Sequence, residues 1–304
     1  MCIHLIQECN MYNIGFIGLG RMGHAICLRL LSQDTVLHIY NRTPEKAKNL
    51  LDRGAVWCNS PAELSAMCDI IILCLSGDKV TEALLTNSEH GLLHQCRYGC
   101  MIIDTSTISP KSAAHNAHIA EMKGKKYISC PVSGGVEGAN NGTLAAIVAV
   151  QPAIRAIIEP FISRFADKIT WLTNHSDAQK LKIINNLAES INLLGAFEVL
   201  NIGLTHGLAL DELHSVLTTC RGRSAYMDVA LHYLKNNLRP SDVSLAVRCK
   251  DLYLASSLAD ISRNYPISDA AIRLFNQVKE KYGDEQDQCE YFKFINEEKK
   301  LNDH

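Results

Sequence analysis

The chain has 304 residues, 47% of them hydrophobic and 20% charged, which is ample apolar material for packed cores and excludes a disordered polymer. A soft rule of about 150 residues per domain predicts two domains. With 30 Lys and Arg against 32 Asp and Glu the formal net charge is −2, so no overall basic field exists to hold nucleic acid or an anionic membrane.

Residues 1–12 lack the basic segment and apolar core of a secretory signal and read as an N-terminal extension. A strand is predicted at Asn13–Ile17. A helix follows over Arg21–Leu31, with Met22, Ile26, Leu30 and Leu31 at helical period. Thr35–Tyr40 reads as the second strand, after which Thr43-Pro44 opens a helix with Thr as its N-cap. Ala55–Trp57 is a short strand, and Ser60-Pro61 caps the next helix. Asp69–Leu75, apolar after its first residue, reads as a strand buried in a parallel sheet. Met101–Asp104 is another strand, and Ser109-Pro110 begins a helix to Lys123. Alternation of this kind indicates βαβ units wound into a parallel sheet.

The texture changes after Trp171. One long helical pattern runs over Ala178–Leu204, and further helices are predicted at Leu210–Thr219, Ser224–Lys235, Val243–Ile261 and Ile267–Lys281. The closing EEKKLNDH reads as a polar, solvated tail. An α/β domain over 13–173 therefore precedes an all-α domain over 174–304, and the long helix links them. The longest apolar stretches, such as Ile70–Leu75 and Leu144–Val150, fall far short of the roughly 18 residues of a membrane-spanning helix.

Twelve cysteines are the compositional oddity, and no Cys-x-x-Cys pair occurs among them. Their spacing fits neither a disulfide framework nor a zinc site. His90, His94, Cys96 and Cys100, with His115 and His118 nearby, come nearest to a metal cluster but are explained as ordinary loop and helix positions, so no metal is expected. Most of the thiols read as small buried hydrophobes in a reducing, cytoplasmic compartment.

Gly18-Leu19-Gly20-Arg21-Met22-Gly23 is a GxGxxG that follows a predicted strand and opens a predicted helix. In that context the first Gly permits a tight turn and the second lets the backbone approach a pyrophosphate. The third allows close helix–strand packing, and the helix N-terminus attracts the anion. An NAD site would end the second strand in Asp or Glu, to accept from the ribose hydroxyl. Here the strand ends in Asn41-Arg42-Thr43, and Asp34 lies on the wrong side of it. A guanidinium suits a 2′-phosphate, so NADP is expected over NAD.

Three further motifs follow in order: residues 130–144, Cys-Pro-Val-Ser-Gly-Gly-Val-Glu-Gly-Ala-Asn-Asn-Gly-Thr-Leu; Lys182-Ile-Ile-Asn185-Asn186; and Lys250-Asp251-Leu252. With the glycine loop they resemble the β-hydroxyacid dehydrogenase family, which includes 3-hydroxyisobutyrate dehydrogenases and tartronate and succinic/glyoxylic semialdehyde reductases. The resemblance covers about residues 13–290 and ends on Gly283-Asp-Glu-Gln-Asp287. It implies a Rossmann domain followed by a helical domain with a long interdomain helix.

Independently, Lys182, Asn185, Asn186 and Glu189 share one side of a helix, with Ile183, Ile184 and Leu187 expected to be buried on the other. The resemblance implies that Lys182 is the general acid/base and that Asn186 orients the lysine or the substrate. It implies that Ser133, Gly134 and Gly135 hold a substrate carboxylate, that Thr107 lies near nicotinamide and substrate, and that Leu75, Ser76 and Lys250 lie near the cofactor. The chain departs from the family pattern in Asn174–Ala178, where Gly-x-Gly is usual, in Ser76 for Pro, and in Ser129-Cys130 for an acid and a small apolar residue. Cys130, beside the carboxylate loop, is the one cysteine expected to affect activity on oxidation.

These readings converge on an NADP-dependent oxidoreductase interconverting a small β-hydroxyacid and its semialdehyde, working as a homodimer or homotetramer with no nucleic-acid or membrane partner. The alternatives are an imine reductase-like enzyme, which generally lacks the lysine, and an NADP-binding pseudoenzyme or sensor.

Overall fold

A computed structural model describes residues 12–31, 35–87, 90–236, 241–259 and 263–302. Asp34, Cys2, Cys9 and most of the N-terminal extension lie outside them. The chain forms two compact units that meet between Gln179 and Lys180.

In the first unit, nine strands form one sheet: β1 (Ile14–Ile17), β2 (Leu37–Tyr40), β3 (Val56–Trp57), β4 (Ile70–Leu73), β5 (Met101–Asp104), β6 (Lys126–Ser129), β7 (Val132–Ser133), β8 (Leu144–Ala149) and β9 (Ala166–Leu172). Their order is β3-β2-β1-β4-β5-β6-β8-β7, and β9 pairs with β8. Pairing is parallel from β3 through to β6, as expected of βαβ units. Successive residues of these strands serve two cores. Ile14, Phe16, Ile70, Ile72 and Ile103 pack with Ile26 and Leu30 of the helix Arg21–Leu30, while Ile17, Ile71, Leu73 and Ile102 pack with Leu64, Leu85 and Leu92. Cover on both faces is why the strands read as unbroken apolar runs.

The sheet is predominantly parallel, as the sequence reading has it, with one exception. β8 runs antiparallel to both β6 and β7. The reason is local: after β7 the short helix Gly135–Asn141 ends on Gly142 in the left-handed conformation (φ 73°), and the chain returns alongside itself.

Among the described residues the regular elements of the second unit are helices, as predicted. The rest of the long helix His175–Thr205 packs with Leu210–Thr219, Ala225–Lys235, Leu245–Ser256, Pro266–Tyr282 and Tyr291–Asn302. Leu193, Phe197, Leu200, Met227, Leu252, Phe275 and Tyr291 form its core. By length and composition the long helix is apolar enough to cross a bilayer, but 44% of that stretch is buried and a core helix passes the same test. Two predicted boundaries move. The helix expected to reach Ile261 stops at Ser256, and the supposed solvated tail is helical to Asn302. Glu297, in that tail, pairs with Lys281 at 2.9 Å and accepts from Tyr282 Oη at 2.8 Å, which ties the last helix down.

Candidate active site

The three glycines of the first loop have three distinct reasons. Gly18 has φ 105°, and a Cβ there would lie 2.2 Å from the carbonyl oxygen of Cys74. At Gly23 a Cβ would lie 2.0 Å from Gly18 O, so helix and strand approach only without side chains. A Cβ on Gly20 would meet nothing within 4 Å. That space lies over the start of Arg21–Leu30, whose N-terminus no side chain caps. A helix N-terminus with an open approach fits a pyrophosphate.

Asn41 braces this loop from the end of β2. Leu19 N–H donates to Asn41 Oδ1 at 2.9 Å, and Asn41 Nδ2 donates to Thr43 O at 2.9 Å. Thr43 makes no side-chain cap, contrary to expectation, because the chain enters a 3-10 turn (Pro44–Ala47) first. Arg42 and Thr43 are exposed beside the loop. Arg42 has no hydrogen-bond or ion-pair partner among the described residues, which leaves its guanidinium available for a phosphate.

Leu75, Ser76 and Thr107 follow the carboxyl ends of β4 and β5, where ligands bind in open α/β sheets. Leu75 N–H donates to Ser106 Oγ at 2.8 Å, and Ser106 N–H donates to the buried Asp104 at 2.9 Å. Ser76 is exposed, and Thr107 is half-buried. Ser133 ends β7, and Gly134 and Gly135 start the next helix with φ 129° and 67°. They are a strand-to-helix turn, and main-chain angles of this kind suit glycine alone.

In the second unit, Lys182 and Asn186 lie on the buried side of the long helix, 6% and 4% exposed. The face expected to hold four polar residues splits: Asn185 points outward to Glu189 (2.6 Å), and Ile184, expected to be buried, is 56% exposed. Asn186 Nδ2 donates to Asp251 at 2.7 Å, and Lys250 Nζ pairs with the other oxygen of Asp251 at 2.8 Å. Asn186 is thus held by a carboxylate from the helix Leu245–Ser256, and its Oδ1 accepts from Asn185 Nδ2 at 3.5 Å on its own helix. Lys182 makes no hydrogen bond or ion pair among the described residues. Burial pushes its ammonium below the ordinary lysine value, Glu189 and Asp251 oppose that shift, and Arg248 and Lys250 add to it. An ammonium so placed is poised to give up its proton.

Arg248 was not singled out by any motif, yet it organises this cluster. It is buried and donates to Gln288 Oε1 (2.8 Å), Asn186 O (3.0 Å), Ser190 Oγ (3.1 Å), Tyr226 Oη (3.1 Å) and Glu189 (3.3 Å). The Gly283–Asp287 signature serves the same joint. Asp287 accepts from Ser241 Oγ and from the N–H groups of Val243 and Cys289, which seats the start of Leu245–Ser256.

Residues 13–173 match the model of the NAD binding domain of 6-phosphogluconate dehydrogenase, and residues 176–295 match that of the NAD-binding region of NADP-dependent 3-hydroxyisobutyrate dehydrogenase. The chain is 31% identical over 267 residues to L-threonate dehydrogenase of Cupriavidus necator, covering 86% of this chain and 89% of that one. It is 30% identical over 243 residues to 2-(hydroxymethyl)glutarate dehydrogenase of Eubacterium barkeri, at 80% of each.

The chain belongs to the β-hydroxyacid dehydrogenase family.

As a β-hydroxyacid dehydrogenase family member it is an NAD(P)-dependent oxidoreductase of the 3-hydroxyisobutyrate dehydrogenase type, acting on CH–OH groups. Among solved structures, Psf3 in complex with NADP+ and 2-OPP superposes with a TM-score of 0.91 at 44% identity, covering 93% of this chain and 99% of that one. A Streptomyces aurantiacus imine reductase shares the fold at 16% identity and a TM-score of 0.61.

The departures from the family pattern have local accounts. Asn174 stands in for the usual glycines as a helix cap: its Oδ1 accepts from Asp177 N–H at 3.2 Å. Ser129 Oγ accepts from Gln179 Nε2 at 3.1 Å, so a hydroxyl does structural work where the family commonly has an acid. Cys130 does not fit the oxidation-sensitive role read for it. It is wholly buried, and burial pushes its thiol far above the ordinary cysteine value, which starves it of the reactive thiolate. Ten described cysteines are free, of which Cys220 is exposed. Among these ten, iodoacetamide on the native protein is expected to modify Cys220 and to spare Cys130 until unfolding, as read by peptide mass mapping. No group of three or more His, Cys, Asp and Glu suited to a metal ion occurs among the described residues.

Proposed function

We propose that the chain is an NADP-dependent oxidoreductase that interconverts a small β-hydroxyacid and its semialdehyde, with Lys182 as general acid and base. The observation that carries this reading is the buried Lys182, held below its ordinary pKa one helical turn from an Asn186 fixed by Asp251. NADPH, when bound, supplies the hydride for the carbonyl carbon. In reduction Lys182 Nζ gives its proton to the carbonyl oxygen as that oxygen becomes an alkoxide. In oxidation the neutral amine takes the hydroxyl proton.

Ser133, Gly134 and Gly135 hold the carboxylate by hydroxyl and main-chain N–H groups, while Thr107 borders the reacting carbon. Asn186 spends one amide N–H on Asp251 and keeps the other for the substrate oxygen. Gly18, Leu19, Gly20, Arg21, Met22 and Gly23 cradle the pyrophosphate, Leu75 and Ser76 lie alongside the cofactor, and Lys250 steadies it. The reading makes the protein a cytoplasmic homodimer or homotetramer, supported by the free cysteines and by Leu181, Ile184, Val199 and Ile202 exposed along the long helix.

The test is NADPH absorbance loss across a panel of three- to five-carbon semialdehydes, with hydroxyacids assayed in reverse and 2-OPP included because the 44%-identical neighbour binds it. Turnover of a carboxylate-bearing carbonyl supports the reading. Tight NADPH binding without turnover on the whole panel would favour a sensor.

NADP preference has its own test. An Arg–phosphate pair is worth about 1.5–3 kcal/mol, so Arg42→Ala is expected to raise KM for NADPH by about 10- to 100-fold and to leave KM for NADH nearly unchanged. Equal effects on the two cofactors refute the assignment of Arg42.

A further inference from the structure

Gln179 is wholly buried, and both ends of its amide are in use. Its Nε2 donates to Ser106 O at 3.0 Å and to Ser129 Oγ at 3.1 Å, while its Oε1 accepts from Ile108 N–H at 3.1 Å. Ser106 O and Ile108 N belong to the two peptide groups on either side of Thr107. One side chain thus grips the Thr107 backbone from both sides, as a neighbouring strand would.

The sheet itself cannot do this. Its last ladder bonds here are Thr105 N–H to Leu73 O and Cys130 N–H to Asp104 O, and both end before Thr107. Beyond them, side chains take over. Ser106 Oγ receives Leu75 N–H, Asp104 receives Ser106 N–H, and Gln179 closes the chain onto Ser106, Ile108 and Ser129. The segments leaving β4, β5 and β6 are joined in this way through buried polar groups. Each is a group that water cannot satisfy if the amide is lost.

We infer that Gln179 is a positioning residue for the reaction, fixing the Thr107 segment and, through Ser106, the Leu75 backbone. The inference rests on the reading above that Thr107 and Leu75 border substrate and cofactor. Gln179 also precedes Lys182 by three residues in one helix.

The experiment compares the full-length protein with Gln179→Leu and Gln179→Glu by amide hydrogen exchange and by steady-state kinetics. Gln179→Leu is expected to speed exchange in the peptide containing Ile108 by about tenfold or more, with Met101–Asp104 unchanged. It is expected to lower kcat by about 10- to 100-fold, and to raise KM for NADPH by less than kcat falls. Gln179→Glu keeps the acceptor for Ile108 and loses both donors. Its deficit should shrink as pH falls, because the protonated carboxyl can donate to Ser106 O again.

Faster exchange with unchanged kcat overturns the inference, and so does unchanged exchange. A Gln179→Leu chain that fails to fold leaves the decision to Gln179→Glu: recovery at low pH supports the role, and a pH-independent deficit overturns it. If the wild-type protein turns over nothing on the panel, the reading of a small β-hydroxyacid substrate falls, and the exchange measurement alone decides whether Gln179 holds the segment.

Discussion

Lys182→Met is expected to lower kcat by about 10²- to 10⁴-fold, the usual worth of a general acid/base, while leaving KM for NADPH within about threefold. It is also expected not to lower the melting temperature at pH 7. Burial depresses the lysine's pKa in the fold, so between that value and the ordinary 10.5 the unfolded chain binds more protons than the folded one. Stability contributed by this group therefore rises with pH across that window, and the cost of a buried ammonium is fully present below it. Met keeps most of the volume and removes the charge.

The neighbouring carboxylates are not stranded by this change. Asp251 retains Lys250 and Asn186, and Glu189 retains Arg248 and Tyr226. For the wild type, the reductive rate should fall as pH rises through the depressed pKa, since protonated Lys182 is the acid. The oxidative rate should rise through the same pKa. Both inflections should vanish in Lys182→Met, measured as kcat/KM against pH in each direction. A variant that keeps them places the titrating group elsewhere.

The second large effect is on stability. Arg248→Met is expected to cost about 3–5 kcal/mol, the range for breaking a buried charged pair, with a fall on the order of 10 °C in the unfolding midpoint of the helical unit. Five hydrogen bonds disappear together, and Gln288 Oε1, Asn186 O and Ser190 Oγ lose a buried donor that water cannot replace. Arg248→Lys should recover only part of the loss, because an ammonium lacks the planar fork that reaches all five acceptors. Circular dichroism melts of the three proteins test this. A change of less than about 1 kcal/mol in Arg248→Met would mean that the network is not what joins the two helices.

What could be read from the residue order had a local cause. Gly18, Gly20 and Gly23 are distinguishable because backbone angle and close approach act within a few residues. Ser60 and Ser109 cap helices through N–H groups three residues on, and both do so. Ile70–Leu73 declared a doubly covered strand by its apolar run alone. Other features depended on something distant. Asn41 has the composition of a phosphate donor, but the glycine loop 22 residues earlier claims its carbonyl. Cys130 lies beside the carboxylate loop in sequence, and its thiol nevertheless lies within the core. Ile184 sits in an apolar run yet falls on the outward face, since the buried side follows Lys182, Asn186 and Ser190 at intervals of four.

Residue order alone carries the class of machine: two domains, a glycine loop ready for a dinucleotide, an arginine beside it, and a lysine on a long helix. These follow from periodicity, from backbone sterics and from charge at fixed spacing. Which groups hold the machine in register depends on pairings between residues far apart in the chain. Arg248 reaches Asn186 across 62 residues, Asp251 reaches it across 65, and Gln179 reaches Ser106 across 73. A buried polar side chain is specified by whichever unmet donor or acceptor the fold brings to it, and no local pattern records that pairing.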